Sequence, residues 1–341
     1  MHRSITTLLY VALCAGIIAA SSAGWINAYI QLVIMFVGIN IILSSSLNLI
    51  NGYMGEFSVG HAGFMAVGAY ITSVLNVWLF SSSQVFGPPA LTPSSALFLF
   101  PLTLLLGGIG AALVGLLVAV PSFRTRGDYL AIITLAVNYI VKSAIENMQV
   151  IGGARGFMGM RNVVNSMQEV VNLPWVMIWV FVCVGLTVVV LYRLVNSTYG
   201  KGIVAIREDE IASEIMSVDT RRMKVVAFML SSGMAGVAGG LFAHVLGYIN
   251  PGTFTIMKST EILVMVYLGG MGSLSGSVLS AIVFTVILEL FRPLQVAKWV
   301  VIPLLLILLM LFRPEGIMGH RELSDFFPRL RNLFKPRERQ A

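Results

Sequence analysis

An all-α polytopic membrane protein of about eight to ten transmembrane helices is the fold class this sequence predicts. Two observations carry that expectation. Of the 341 residues, 57% are hydrophobic and only 11% are charged, against roughly 25% charged in a soluble domain. Apolar runs long enough to cross a bilayer also recur along the whole chain, and a large soluble helical protein needs polar helix faces that this composition cannot supply. The formal net charge of +7 then reads as membrane topology and not as affinity for nucleic acid. No lysine and arginine cluster is interleaved with aromatic residues in a way that suits base stacking.

The first apolar run, Ile5–Ala23, follows His2 and Arg3. Ala20-Ser21-Ser22-Ala23 resembles a cleavage site, so a removed signal peptide is the alternative to an uncleaved first span. The uncleaved span is expected, because the chain continues directly into further spans. These are drawn at Tyr29–Ile50, His61–Phe80, Ala96–Val120, Tyr129–Met148, Pro174–Val195 and Val225–Val245. Two short ones follow, Thr260–Gly270 and Gly276–Phe291, as half-helices or one broken helix, and Trp299–Phe312 closes the set. Residues 1–319 form the transmembrane domain in this layout. Residues 320–341 form a basic cytoplasmic tail lying near the inner leaflet, where each basic residue contributes about 1 kcal/mol beside anionic lipid. Cys14 and Cys183 sit inside apolar runs without metal-ligand spacing, so no disulfide, metal site or cofactor is expected.

The basic residues test the layout. With the N-terminus inside, nine of the 22 lysines and arginines fall in or before inner loops and seven after the last span, leaving six outside: Lys142, Arg155, Arg161, Lys258, Arg292 and Lys298. Both termini are therefore expected in the cytoplasm, together with the long polar interruption Tyr199–Lys224. That segment holds five of the fifteen acidic residues. A helix over Ile203–Val218 would place Ile211, Ala212, Ile215 and Met216 on one face, with Arg207, Glu208, Asp209, Glu210 and Glu214 over the rest. Asp219 or Thr220 is expected to cap the next span. Such a helix suits a groove on a soluble subunit. A place on the inner membrane face is the alternative, disfavoured by the acidic side chains.

Two stretches share the pattern G-x-M-G-x-[FL]-S: Gly52–Ser58 and Gly269–Ser275. Glycine-interrupted apolar segments in both halves of a chain are expected of a transporter built from two structural repeats; a chance match of Gly-rich turns is the alternative. Within them Gly52, Gly55, Glu56, Ser58, Gly60, His61, Gly269, Gly272 and Ser275 are candidates for the pathway or its gate. If the first stretch is only a cytoplasmic turn, Glu56 and His61 are merely solvated. Lys142 and Glu146 are spaced for an ion pair, and His244 reads as a structural histidine. Glu289 is a weak candidate for the mid-span carboxylate that a proton-coupled carrier needs. No nucleophile and base pair and no G-x-x-x-x-G-K-[ST] loop occurs, so the chain is expected not to be an enzyme and to lack its own ATP site.

Taken together, Gly52–Tyr70, Arg124–Ala136, Ile151–Gly156, Ala205–Phe228, Ala235–His244, Gly247–Phe254, Leu268–Ala281 and Phe312–Gly319 resemble the LivM-type permease subunits of ABC importers for branched-chain amino acids. The likeness runs in order from about residue 30 to 319. It implies a bacterial inner-membrane permease paired with a second, homologous permease, two ATPase subunits and a periplasmic solute-binding protein. Arg207, Glu208, Asp209, Glu210 and Glu214 match the family's loop that couples to the ATPase. Gly52–His61 and Gly269–Ser275 match its glycine-rich transmembrane motifs. Where the family often has a TGGPNG-like run, this chain has Arg155 within Ile151–Phe157, a departure that bears on the binding protein and the substrate. Related permeases for urea and short amides share most of these motifs. A secondary carrier or channel acting alone is the reading from a different class.

Overall fold

A computed structural model describes residues 2–82, 86–123, 129–292, 300, 304, 307–308, 311–312 and 316–319. The expected tail, 320–341, lies outside the described residues, as does most of the expected span Trp299–Phe312. Twelve α-helices are described: α1 His2–Ser22, α2 Ala28–Asn48, α3 His61–Phe80, α4 Ala96–Ser122, α5 Tyr129–Asn147, α6 Met160–Val170, α7 Trp175–Val195, α8 Thr198–Glu208, α9 Glu210–Ile215, α10 Thr220–Leu246, α11 Ile256–Gly269 and α12 Leu274–Leu290. Among the described residues, six segments are long and apolar enough to cross a membrane: Ala28–Tyr53, His61–Phe80, Pro93–Ser122, Tyr129–Asn147, Trp175–Val195 and Thr220–Leu246. Leu9–Ser22 and Leu274–Leu290 are shorter apolar helices. The chain is an all-α polytopic membrane protein.

The centre of the bundle is α10, packed on α3, α4 and α2. Lipid tails are as apolar as leucine, so helices associate in a membrane by close packing and by hydrogen bonds between them. Both devices are present. Helices α3 and α10 run parallel, and a Cβ added at Gly68 would strike the Gly236 backbone. One and two turns further along, Thr72 meets Gly240 and the Asn76 amide meets the His244 ring. Helix α4 runs the other way and lays Ala111 against Gly236 and Gly115 against Ser232. Phe64, Phe228 and Phe123 close the seam with edge-to-face ring contacts. His244 is satisfied: its Nδ1 lies 2.8 Å from the Gly240 carbonyl and its Nε2 2.9 Å from Asn76 Nδ2.

At the face away from α8 and α9, the expected loop Gln149–Leu173 contains a helix that hydropathy alone missed. Helix α6 is only eleven residues long and amphipathic, burying Met160, Val163 and Met167. Just before it, Phe157–Met158 pairs antiparallel with Tyr248–Ile249, Phe157 opposite Ile249. The Tyr248 hydroxyl donates to the Arg155 carbonyl at 2.6 Å. Two loops far apart in sequence thus form one cap.

Candidate functional site

The site is the opposite face, where two helices are interrupted by glycine. Helix α2 continues through Leu49–Tyr53 as a π-helical turn and stops at Gly55, whose φ is 76°. Helix α3 begins at His61. In the second interruption, α11 ends at Gly269, Gly272 has a φ of 82°, and α12 begins at Leu274. Gly55 and Gly272 occupy the same place in the shared pattern and adopt the same left-handed backbone, a conformation that costs an L-residue with a Cβ about 1 kcal/mol.

The two stretches touch. Asn48, fully buried near the end of α2, donates through Nδ2 to the Ser273 carbonyl at 2.9 Å and to Ser277 Oγ at 2.7 Å. Its Oδ1 accepts from the Gly272 N–H at 3.0 Å. Around the first break, the Ser58 N–H donates to Asn51 Oδ1, the Val59 N–H to Thr134 Oγ1 and the Ala62 N–H to Ser259 Oγ. Gly60 lies against the Thr134 carbonyl. His61 is fully buried with Nε2 2.8 Å from Ser46 Oγ. At the second break the Ile317 N–H donates to the Leu268 carbonyl and the Met318 N–H to that of Gly269. Ser275 Oγ reaches Met318 Sδ at 3.6 Å.

The polar segment sits on the first break. The structure corrects the single helix expected over Ile203–Val218: the chain breaks at Asp209, whose extended backbone N-caps α9 and whose Oδ1 accepts from the Ala212 N–H at 3.0 Å. Asp219 caps α10 in the same way through the Arg222 N–H. Both acidic residues stand at the positive ends of helices. The span expected to begin at Val225 begins five residues earlier, at Thr220, which places Lys224 inside the helix.

Arg207 and Glu210, expected with the other charged residues over the rest of the helix surface, turn toward the first break. Arg207 Nη1 donates to the Gly52 carbonyl at 3.1 Å, its stem packs against Gly55, and it pairs with Glu208. Glu210 pairs with Lys224 at 2.9 Å, and Lys224 pairs with Glu56 at 2.6 Å. Glu56 and His61 are therefore not simply solvated. Glu214 accepts from Thr220 Oγ1 at 3.0 Å. What faces outward is the apolar stripe: Ile211 is 62% exposed, and Ile215 and Met216 are each 78% exposed. Arg155 stands exposed in the cap at the other end. Glu289 pairs with Arg292 and Lys142 with Glu146.

Sequence reading missed Asn48 and gave Lys224 no role beyond topology. A lone asparagine in an apolar run is the available signal for Asn48, since buried amides join membrane helices. Lys224 was legible only once the helix start moved to Thr220.

A bundle of apolar helices, two of them bent at glycine on one face and fastened there to a polar segment with an exposed apolar stripe, defines a multi-pass membrane protein of the permease class. The family comparison agrees. The chain belongs to the branched-chain amino acid transport system permease component family, whose model matches residues 29–312. Among curated relatives, it is 32% identical over 309 residues to the high-affinity branched-chain amino acid transport system permease protein LivM of Escherichia coli K12, covering 82% of this chain and 68% of that one. It is 24% identical over 333 residues to the probable branched-chain amino acid transport permease protein LivM of Methanocaldococcus jannaschii, covering 86% of this chain and 94% of that one. A permease protein named LivH, from Salmonella typhimurium, is 25% identical over 214 residues, 62% of this chain and 66% of its own length. No solved structure matches the chain.

Proposed function

We propose that this chain is the membrane-spanning permease subunit of an ATP-driven importer for branched-chain amino acids: leucine, isoleucine or valine. Helix α9 carries the reading: its Ile211 and Ile215, with Met216 just after it, face outward while Arg207 and Glu210 fasten the same segment to the first glycine break. An amphipathic helix with a free apolar stripe suits a groove on a soluble subunit, and the chain has no phosphate-binding loop of its own. In this reading ATP is hydrolysed on partner ATPase subunits. The two breaks, Gly52–His61 and Gly269–Ser275, gate the path.

A second, homologous permease completes the membrane part, supported by the similarity of this one chain to proteins named LivM and LivH. A periplasmic solute-binding protein meets the cap that carries Arg155. The distribution of basic residues supports an inner-membrane protein with both termini in the cytoplasm and a tail along the inner leaflet. Import of urea or a short amide is the second reading, favoured by Arg155 in the outer run.

Inner-membrane vesicles supplied with the cognate binding protein test the proposal. Labelled leucine should enter only with ATP, resist an uncoupler, and be displaced by isoleucine and valine but not by urea. Displacement by urea alone selects the second reading. Uptake that survives ATP depletion and collapses with an uncoupler makes the protein a secondary carrier.

A further inference from the structure

Among the described lysine, arginine, aspartate and glutamate residues, Lys224 is alone in being buried, at 7% exposure. Three elements converge on it. It stands in the second turn of α10 and binds Glu56 from the first break at 2.6 Å and Glu210 from α9 at 2.9 Å. The Phe123 ring at the end of α4 lies 5.9 Å away. Glu56 and Lys224 are 168 residues apart, the same separation as Asn76 and His244 further up the parallel α3–α10 seam. The pair therefore lies at the same end of the bundle as the start of the α3–α10 seam, with Glu56 in the non-helical stretch that leads into α3.

We propose that Lys224 is the positioning residue through which α9 moves the first glycine break. This rests on the reading of α9 as the ATPase-docking helix. A single ammonium holds two carboxylates that otherwise repel each other, one on the docking segment and one on the break. A displacement of α9 thus draws on Glu56 through one shared cation. Arg207 makes a second link, to the Gly52 carbonyl, but its partner is a backbone oxygen and its own carboxylate neighbour, Glu208, is exposed. Lys224 joins α9, α10 and the break through ion pairs alone.

The test uses the complete transporter reconstituted in lipid vesicles with labelled leucine. In Lys224→Met, ATPase subunits should still copurify and ATP hydrolysis should persist, while uptake per ATP hydrolysed falls about tenfold. Lys224→Arg should recover most of that ratio. The inverted triple variant E56K/E210K/K224E restores both attractions and should recover more coupling than K224E alone, even if the single variants fold poorly. The proposal is overturned if uptake per ATP is unchanged in Lys224→Met, if uptake and hydrolysis fall together with the amount of assembled complex, or if the triple variant is no better than K224E. Absence of ATPase subunits from the wild-type preparation defeats the reading of α9 itself and is distinguishable from all of these.

Discussion

The two glycine breaks share a pattern and a bend, but different forces hold them. Gly55 and Gly272 are both left-handed, with φ of 76° and 82°. Around Gly55 a neighbouring segment adds a charged grip to the neutral hydrogen bonds from Asn51, Thr134 and Ser259: Arg207 on the Gly52 carbonyl, and Lys224 between Glu56 and Glu210. Around Gly272 the grip is neutral and comes from within: the Asn48 amide, and the N–H groups of Ile317 and Met318 on the last carbonyls of α11. Charged hydrogen bonds are strong and act at some distance, whereas buried neutral ones matter chiefly because they are costly to leave unmade. The first break is thus tied to whatever moves α8 and α9. The second is tied to the bundle.

Asn48→Leu should have the largest effect on stability. It orphans the Gly272 N–H and leaves the Ser277 hydroxyl only its bond to the Ser273 carbonyl, with an expected loss of about 2 kcal/mol, read as a lower thermal midpoint of the purified protein in detergent. Next come Gly272→Ala, costing about 1 kcal/mol for a Cβ in the left-handed region, and Gly55→Ala, costing that and more because its Cβ would strike the Arg207 stem. Near-equal losses once Arg207→Ala is also present support a common bend; a gap that persists there breaks the comparison. Arg207→Ala should cost under about 1 kcal/mol, because the side chain is partly solvated, yet it should raise the reactivity of a cysteine placed at Ser58. The same change should leave a cysteine at Ser275 unaffected. Smallest in stability is Ile215→Ser, expected to leave the thermal midpoint unmoved because the side chain is 78% exposed, while copurification of ATPase subunits drops.

The contrast also shows what the sequence makes legible. The left-handed glycines are readable because only a residue without a Cβ takes that backbone freely, so the bend leaves a trace in the G-x-M-G-x-[FL]-S pattern. The exposed stripe of Ile211, Ile215 and Met216 is readable from helical spacing, whichever way the helix is capped. The break at Asp209 has a local signal, an N-capping residue followed by Glu210, but Ile203–Glu208 and Glu210–Ile215 both suit a helix, which concealed the break between them. Lys224 was hidden for another reason. Its partners are 168 and 14 residues away in sequence, and long-range ion pairing leaves no periodicity. Helix α6 escaped because the signal that finds spans is uniform hydropathy, and α6 is amphipathic.

One feature of the fold has a mechanical consequence. Helix α10 is 27 residues long, about 40 Å at the rise of an α-helix, and small residues lock it to α3 and α4 along its middle. At one end it carries Lys224. At the other, Gly247 lies against Arg161 and leads into the strand paired beside Arg155. It is a single unbroken strut, so the two surfaces of the protein that face water on opposite sides of the membrane share one rigid member.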